Sequence, residues 1–267
     1  MELKNKIIVI TGASSGIGEA SAIRFAEKKA KLVLVGRRKE KLLDVEKKIS
    51  KFNIPTLVCK CDVSEKSQVK EMCQEVLNKF GQIDVLVNNA GFAIYGNVSD
   101  LSIDEIESQM ATNYFGMVYC IKNFLPKMIE QKSGHIVNVA SVAASFGLPG
   151  IASYCASKFA MLGFSEGLRY ELKGTGVGIT VVSPIMVRTN FFDHPSFESM
   201  PKYSSTSLSA DTVGKAVVKA ANSSRLEIIV PPMVRGAVWA KHTIPYLINP
   251  IIGSVFKKHW TEEKNSQ

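Results

Sequence analysis

The stretch "TGASSGIGEA", residues 11–20, follows the apolar run "IIVI" and places three glycines and two serines ahead of a helix-like pattern. So much bare backbone at the end of a first strand suits a phosphate group. Glycine lets the chain approach an anion closely, and a helix starting there adds N–H donors and its dipole. Gly16 and Gly18 fall where that helix should begin, so Gly12, Ser14, Ser15, Gly16, Ile17 and Gly18 are candidate phosphate-side residues. The spacing, Gly12-x-x-x-Gly16-x-Gly18, differs from the G-x-G-x-x-G pattern of dinucleotide-binding loops.

Outward from this loop, short β-branched runs alternate with helical patterns. "KIIVIT", "KLVLVG", "TLVCKCD", "IDVLVNNAG", "GHIVNVAS", "GITVVSP" and "LEIIVPP" read as strands. Between them apolar residues recur at three-to-four spacing, as in Val69, Met72, Cys73, Val76, Leu77 and Phe80. Seven strands alternating with helices imply right-handed crossovers and an α/β fold: one doubly wound, parallel, seven-stranded sheet of Rossmann type with helices on both faces. Ligands in such sheets sit beyond the carboxyl ends of the strands. Residues 1–232 are expected to form this domain, with 233–267 an apolar extension of it.

With 267 residues, 46% hydrophobic and 21% charged, the chain can bury one large core. No uncharged apolar run approaches about 20 residues, so neither a secretory signal nor a spanning helix is expected. Five cysteines argue against a disulfide framework, and Cys59 and Cys61 lack a nearby Cys or His to complete a zinc site. Reduced thiols, no metal and a cytoplasmic location are the expectation. The formal charge of +9 favours an anionic partner: a phosphorylated cofactor, an acidic lipid surface or nucleic acid. Much of "RRKEKLLDVEKKISK" (37–51) reads as a solvated helix face.

Further motifs follow the strands in order. "NNAG" occupies residues 88–91, Asn113 lies in a helical pattern, Ser141 follows the fifth strand, and "YCASK" sets Tyr154 and Lys158 four residues apart. With the Gly loop, these make residues 5 to about 230 resemble the short-chain dehydrogenases/reductases. The resemblance implies a nicotinamide cofactor on the Gly loop and Asp62 and Val63 beside its adenine. It puts Asn89, Ala90 and Gly91 along the cofactor and Val187 and Thr189 at the carboxamide. Asn88 reads as a bridge to the backbone of neighbouring strands. Tyr154 would be the catalytic acid/base, Ser141 the partner of the substrate oxygen, and Asn113 the holder of a water linking Lys158 to solvent. Lys158 would also bind the cofactor.

Chemistry agrees with this assignment. Residues at i and i+4 share a helix face. A free phenol, with a pKa of about 10, exchanges protons poorly near neutrality. An adjacent ammonium and a cationic nicotinamide both favour phenolate, so the Tyr154 pKa is expected to be lowered. At the end of the second strand, where NAD enzymes place an acid, this chain has Gly36, Arg37 and Arg38. Guanidinium groups suit a 2′-phosphate, and NADP(H) is the expected cofactor. One departure is Ile185 in "SPIMVRTNFF": the family carries glycine there, and a β-branched residue resists positive φ.

Phe92, Phe146, Met186 and Phe191, with Ser141 and Tyr154, are the candidate substrate contacts; Ile94, Val142, Leu148 and Phe192 extend an apolar wall. The loop "NFFDHPSFESMPKYSS" (190–205) should cover the substrate, with His194 solvated. No Arg or Lys is placed for a substrate carboxylate, so a lipophilic ketone, aldehyde or secondary alcohol is expected. The tail stretch "HTIPYLINPIIGSVF" is uncharged but interrupted by Pro245 and Pro250. Asn249 and Pro250 read as N-cap and N1 of a last helix. That helix would set Ile251, Ile252, Val255, Phe256 and Trp260 opposite Lys257 and Lys258. Packing on the domain or a sister subunit is expected; weak attachment to an acidic membrane surface is the alternative.

The reading is therefore an NADP(H)-dependent oxidoreductase acting on a small-molecule carbonyl or alcohol, by resemblance a homodimer or homotetramer through the long helices carrying Asn113 and Tyr154. Alternatives are a 3-oxoacyl-thioester reductase and a non-catalytic NADP sensor or scaffold, the latter disfavoured by the presence of both Tyr154 and Lys158. A nucleic-acid partner is not expected, because no aromatic-plus-basic motif accompanies the charge.

Overall fold

A strand with both faces covered can be apolar at every position, and alternate side chains then feed two separate cores. That is how the first strand is used in a computed structural model, which describes residues 2–198 and 206–250. Ile7 and Val9 join one core, with Val33, Met72, Phe124 and Ile136. Ile8 and Ile10 join the other, with Phe25, Leu32, Leu34 and Val213.

The strands are β1 (Ile7–Thr11), β2 (Lys31–Gly36), β3 (Thr56–Lys60), β4 (Val85–Asn88), β5 (Gly134–Val139), β6 (Val177–Pro184), β7 (Val187–Arg188), β8 (Leu208–Ser209) and β9 (Glu227–Val230). Seven of them form one sheet in the order β3-β2-β1-β4-β5-β6-β9. Its pairings are all parallel. The expected α/β fold with seven strands is what the chain adopts. A small second sheet, β7 with β8, was not foreseen; its two-residue strands are too short to show a period.

The helices are α1 (Gly16–Glu27), α2 (Lys39–Ile49), α3 (Lys66–Phe80), α4 (Ile103–Met110), α5 (Gly116–Glu130), α6 (Ala152–Glu171), α7 (Ala210–Ala220) and α8 (Val234–Thr243). The three-to-four pattern of α3 buries Val69, Met72, Cys73 and Val76 as its spacing requires. Ser102 and Glu105 start α4 with a capping box. All five cysteines are free and buried.

Strand order reverses between β1 and β4, and the loops leaving these two strands part there to open a crevice. Gly18 makes the packing beside that crevice possible. A Cβ at Gly18 would run into the Gly12 carbonyl and lie 2.7 Å from Asn89 Nδ2. Glycine here lets the first turn of α1 rest on the loop.

The tail departs from expectation. No residue of α8 is buried. Residues 245–250 are already helical, so Asn249 and Pro250 lie inside a helical segment and do not begin one. The chain turns helical five residues earlier, at Pro245 instead of Pro250, because Pro245 itself has the fixed φ suited to a first turn. The expected apolar face of Ile251, Ile252, Val255, Phe256 and Trp260 falls outside the described residues.

Replacing Gly18 by Ala should lower stability by about 1–3 kcal/mol, the usual range for forced overpacking. Urea denaturation checks it; an unchanged midpoint would show that α1 can lift off the loop at no cost.

Candidate active site

The crevice is a cleft of about 1440 Å³. A typical single-ligand pocket is roughly 300–1,000 Å³. The cleft therefore has room for a dinucleotide-sized molecule and a second ligand together. It runs from Arg37 and Asp62 at one end to Tyr154, Phe191 and Phe197 at the other.

Its floor is the Gly loop. Gly12 and Gly16 take left-handed backbone conformations, φ +63° and +56°, which only glycine adopts freely. Ser14, Ser15, Gly16 and Ile17 line the cleft, whereas Gly18 does not: its missing side chain serves the α1 contact. Ser15 is the N-cap of α1, yet its side chain makes no capping bond, so the first turn meets the cleft uncapped. The Asn89 amide donates to the Thr11 carbonyl at 3.0 Å and the Gly12 carbonyl at 3.2 Å. Thr11 Oγ1 in turn accepts the Asn89 and Ala90 N–H groups at 3.0 and 3.1 Å. Asn89 thus lines the cleft and also ties two loops together. The role of Thr11 was not anticipated; its only signal is a polar residue ending an otherwise apolar strand.

Asn88 was expected to bridge backbone groups. Instead its Nδ2 donates to the Asn138 side chain at 2.9 Å across β4 and β5, whose own ladder already uses the backbone.

At the basic end, Arg37 and Arg38 are exposed and both border the cleft. Arg37 lies 3.8 Å from Asp62, and Arg38 Nη2 donates to Ser14 Oγ at 3.4 Å. Asp62 accepts from Ser64 N and Oγ at 3.0 and 2.7 Å, and Val63 lines the wall beside it. Lys41, in the first turn of α2, borders the same end and was missed among the solvated charges of that helix. An uncapped helix start, two left-handed glycines and two exposed guanidinium groups make a donor set that fits a pyrophosphate with a further phosphate nearby.

At the other end, α6 carries Tyr154 and Lys158, 9% and 4% exposed. Lys158 Nζ donates to the Val139 carbonyl at 3.1 Å, contacts Met161 Sδ at 3.4 Å and sits 5.6 Å above the Tyr154 ring. Burial pushes the Tyr154 pKa above its usual value, opposed in part by a hydrogen bond with Ser141. The expected lowering by Lys158 is not found; desolvation dominates, because the phenolate would lie in apolar surroundings. Burial also pulls the Lys158 pKa down to about 7. Ser141 accepts the Ala143 N–H at 3.1 Å and donates to the Pro184 carbonyl at 3.4 Å, which fixes it between β5 and β6.

Asn113 lies in a wide turn, Ala111–Phe115, of π type between α4 and α5. Such turns recur at functional sites. Its side chain does not line the cleft. It clamps the Phe92 peptide, accepting the N–H and donating to the carbonyl at 2.9 Å each, and donates to Ser157 Oγ at 2.9 Å. Both amide hydrogens are spent, so the side chain has no donor left for the expected water. A Cβ at Gly91 would meet Asn113 Oδ1 at 2.9 Å and Lys158 Nζ at 3.5 Å, which explains glycine at that cleft-lining position.

The apolar wall holds Phe92, Val142, Leu148, Met186, Phe191 and Phe192, as expected. Phe146 and Ile94 do not line it. After β5 the chain makes a tight turn over Val142–Ala144 that carries Phe146 past the cleft, and Ile94 turns into the core. Tyr95, Ile151 and Phe197 take their place. Phe197 is fully buried, its ring 5.2 Å from Phe192 and 5.7 Å from Tyr95, and Phe191 packs edge-on to Tyr154 at 5.5 Å. The exposed His194 caps the turn at Pro195 through the Ser196 N–H at 3.2 Å. Val187 and Thr189 border the cleft, with Thr189 against Gly16. Ile185 takes no positive φ; its N–H donates to the Val230 carbonyl at 3.0 Å, and its side chain enters the cleft.

This fold and cleft match known proteins. The family model of short chain dehydrogenases covers residues 6–197. An uncharacterized oxidoreductase of Staphylococcus saprophyticus is 37% identical over 240 residues, 86% of this chain and 97% of that protein. A short chain dehydrogenase/reductase from Burkholderia phymatum, solved with NAD, superposes with a TM-score of 0.84 at 27% identity, covering 92% of this chain and 96% of its own. A metagenomic short-chain oxidoreductase, solved with NADP, gives 0.74 at 29% identity over 86% and 98%. The chain belongs to the short chain dehydrogenase family of oxidoreductases.

Because the unfolded chain holds the Lys158 proton up to about pH 10.4 and the folded chain only to about 7, folding expels a proton between these values. Stability should therefore rise with pH across that window. Relative to wild type, Lys158→Met should gain at least about 1.4 kcal/mol at pH 6 compared with pH 10, one pKa unit's worth. Paired melting curves test the sign; a pH-independent difference would contradict the depressed pKa.

Proposed function

We propose that the protein is an NADP(H)-dependent oxidoreductase for lipophilic ketones, aldehydes or secondary alcohols, with Tyr154 as general acid/base. The observation that carries this reading is Tyr154 and Lys158 buried together at the aromatic end of the cleft, with Ser141 bonded to the phenol. A bound nicotinamide cofactor would supply or accept the hydride. Gly12, Ser14, Ser15, Gly16 and Ile17 would hold its pyrophosphate, Asp62, Val63, Asn89, Ala90 and Gly91 its adenosine and ribose parts, and Val187 and Thr189 its carboxamide. Relatives bind either NAD or NADP, so the choice rests on this chain's own Arg37 and Arg38.

In reduction, Tyr154 donates its phenolic proton to the substrate oxygen. Burial keeps the phenol protonated in the resting site, which suits a donor. Ser141 Oγ, bonded to the phenol, holds the substrate oxygen within reach. Lys158, when protonated, stabilises the phenolate as it forms, because its ammonium already lies over the ring. Asn113 acts through position: it fixes the Phe92 peptide at the cleft wall and Ser157 on the turn of α6 that carries Tyr154. Phe191, Phe192, Phe197 and Leu148 exclude water and offer apolar contact, and among the described residues this wall carries no cation to bind a carboxylate. In oxidation the same groups work in reverse, with Tyr154 taking the alcohol proton.

A panel of carbonyl compounds followed by NADPH absorbance tests the reaction directly. With any turned-over substrate, Tyr154→Phe should lower kcat by about 10²-fold or more, the scale of a lost acid/base, and leave the cofactor Kd nearly unchanged. Lys158→Ala should impair both. Near-normal turnover by Tyr154→Phe would remove the phenol from the mechanism.

Cofactor choice is a separate expectation. NADP(H) should bind at least about 10-fold tighter than NAD(H), about 1.4 kcal/mol. Arg37→Ala combined with Arg38→Ala should erase most of that difference in fluorescence titrations. Equal dissociation constants for the unmodified protein would refute the assignment.

A further inference from the structure

Beyond β9 the chain presents large apolar side chains to solvent. Met233 is 83% exposed, Trp239 66%, Tyr246 91% and Leu247 66%, and Ile244 joins them. These are five of the twelve exposed large hydrophobics among the described residues, gathered within residues 233–247. Soluble surfaces seldom collect apolar groups in this way without a partner. The half-buried residues of α8 are Val234, Val238, Ala240 and Lys241, and the Lys241 ammonium lies 5.5 Å over the Phe159 ring of α6.

The charge of this segment selects the partner. Between Glu227 and Glu262 the sequence has no Asp or Glu, while Arg235, Lys241, Lys257 and Lys258 are cationic. A second copy docked face to face through this segment about a two-fold axis would set cations against cations, with no acid in the segment to neutralise them. An anionic bilayer satisfies both features: apolar side chains enter the headgroup boundary, and Lys and Arg meet lipid phosphates. Trp and Tyr favour that boundary because their rings are apolar with one polar tip. Among the described residues no helix is long and apolar enough to cross a membrane, so contact would be at the surface.

We propose that α8 and residues 244–247 dock this protein peripherally on an anionic lipid bilayer. The docked segment leaves the sheet at the carboxyl ends of the strands, where the cleft also opens. α8 starts just beyond the carboxyl end of β9, and Lys241 lies over Phe159, the residue after Lys158. The proposal rests on surface and charge alone and does not depend on the reaction.

The test is sedimentation of the full chain with phosphatidylglycerol–phosphatidylcholine vesicles and with phosphatidylcholine vesicles. Wild type should bind the anionic vesicles. Binding should fall as ionic strength rises from about 0.1 M to about 1 M, where screening shortens from about 10 Å to about 3 Å. The triple variant Trp239→Ser, Tyr246→Ser, Leu247→Ser should bind at least about tenfold more weakly, with an unchanged melting temperature because these side chains are exposed. No sedimentation of wild type, or equal binding by the triple variant, overturns the proposal. So does a fall in solution mass of the variant without vesicle binding by wild type, which would assign the face to a second copy.

Discussion

The Asn89 side chain holds the carbonyls that β1 leaves behind, and the cleft depends on that hold. At a switch point two loops diverge, and their end carbonyls and amides have no strand partner. Asn89 and Thr11 supply the missing partners to each other's strands. The exchange brings the loops so close that a Cβ at Gly12 would come within 2.8 Å of Ala90 Cα. With Gly12 and Gly18 bare, α1 can start low over the sheet, and its uncapped first turn becomes the cleft floor. The same residues that satisfy the backbone therefore leave the helix start open to the cleft, and a side chain at either glycine would disturb both.

At the far end the physical theme is desolvation. Burial acts on Tyr154 and Lys158 in opposite directions on the pKa scale, but in the same direction on charge: it disfavours phenolate and ammonium alike. A neutral phenol beside a lysine that titrates near neutrality is poised, since each charge that appears makes the other cheaper. The Ser141 bond, the Val139 carbonyl and the Met161 sulfur hold this pair in place.

Much of this was legible because strand ends and glycine spacing are local signals. Seven apolar runs became seven paired strands, and "TGASSGIG", "NNAG" and "YCASK" fell on one cleft. What escaped depended on direction. Phe146 and Phe197 are both aromatic residues in loops, and no period says which turns inward; a tight turn takes Phe146 out, while the Phe192 and Tyr95 rings take Phe197 in. Asn113 was found, but not its partners, because a π turn shifts the side chain off the helix's regular face. For the chain alone the Tyr154 pKa is raised, because burial, which the sequence does not show, acts more strongly than the neighbouring charge it does show. The start of the last helix was misplaced for a related reason: Pro245 and Pro250 both suit a first turn, and the sequence alone does not say which one opens the helix.

Ile185 shows how one departure from the family pattern is absorbed and what it couples. Glycine is needed there only if the backbone turns to positive φ. Here the peptide continues the β6 ladder onto Val230 and takes no positive φ, so a β-branched residue fits. Ile185 then lines the cleft beside Met186 and Val187. The same Val230 leads through Pro231 and Pro232 into α8, whose start is held by the Val234 N–H on the Pro231 carbonyl. Cleft rim and exposed helix thus share one short stretch of backbone. The strand that closes the sheet therefore carries both the backbone bond that fixes the rim at Ile185 and the start of the exposed helix.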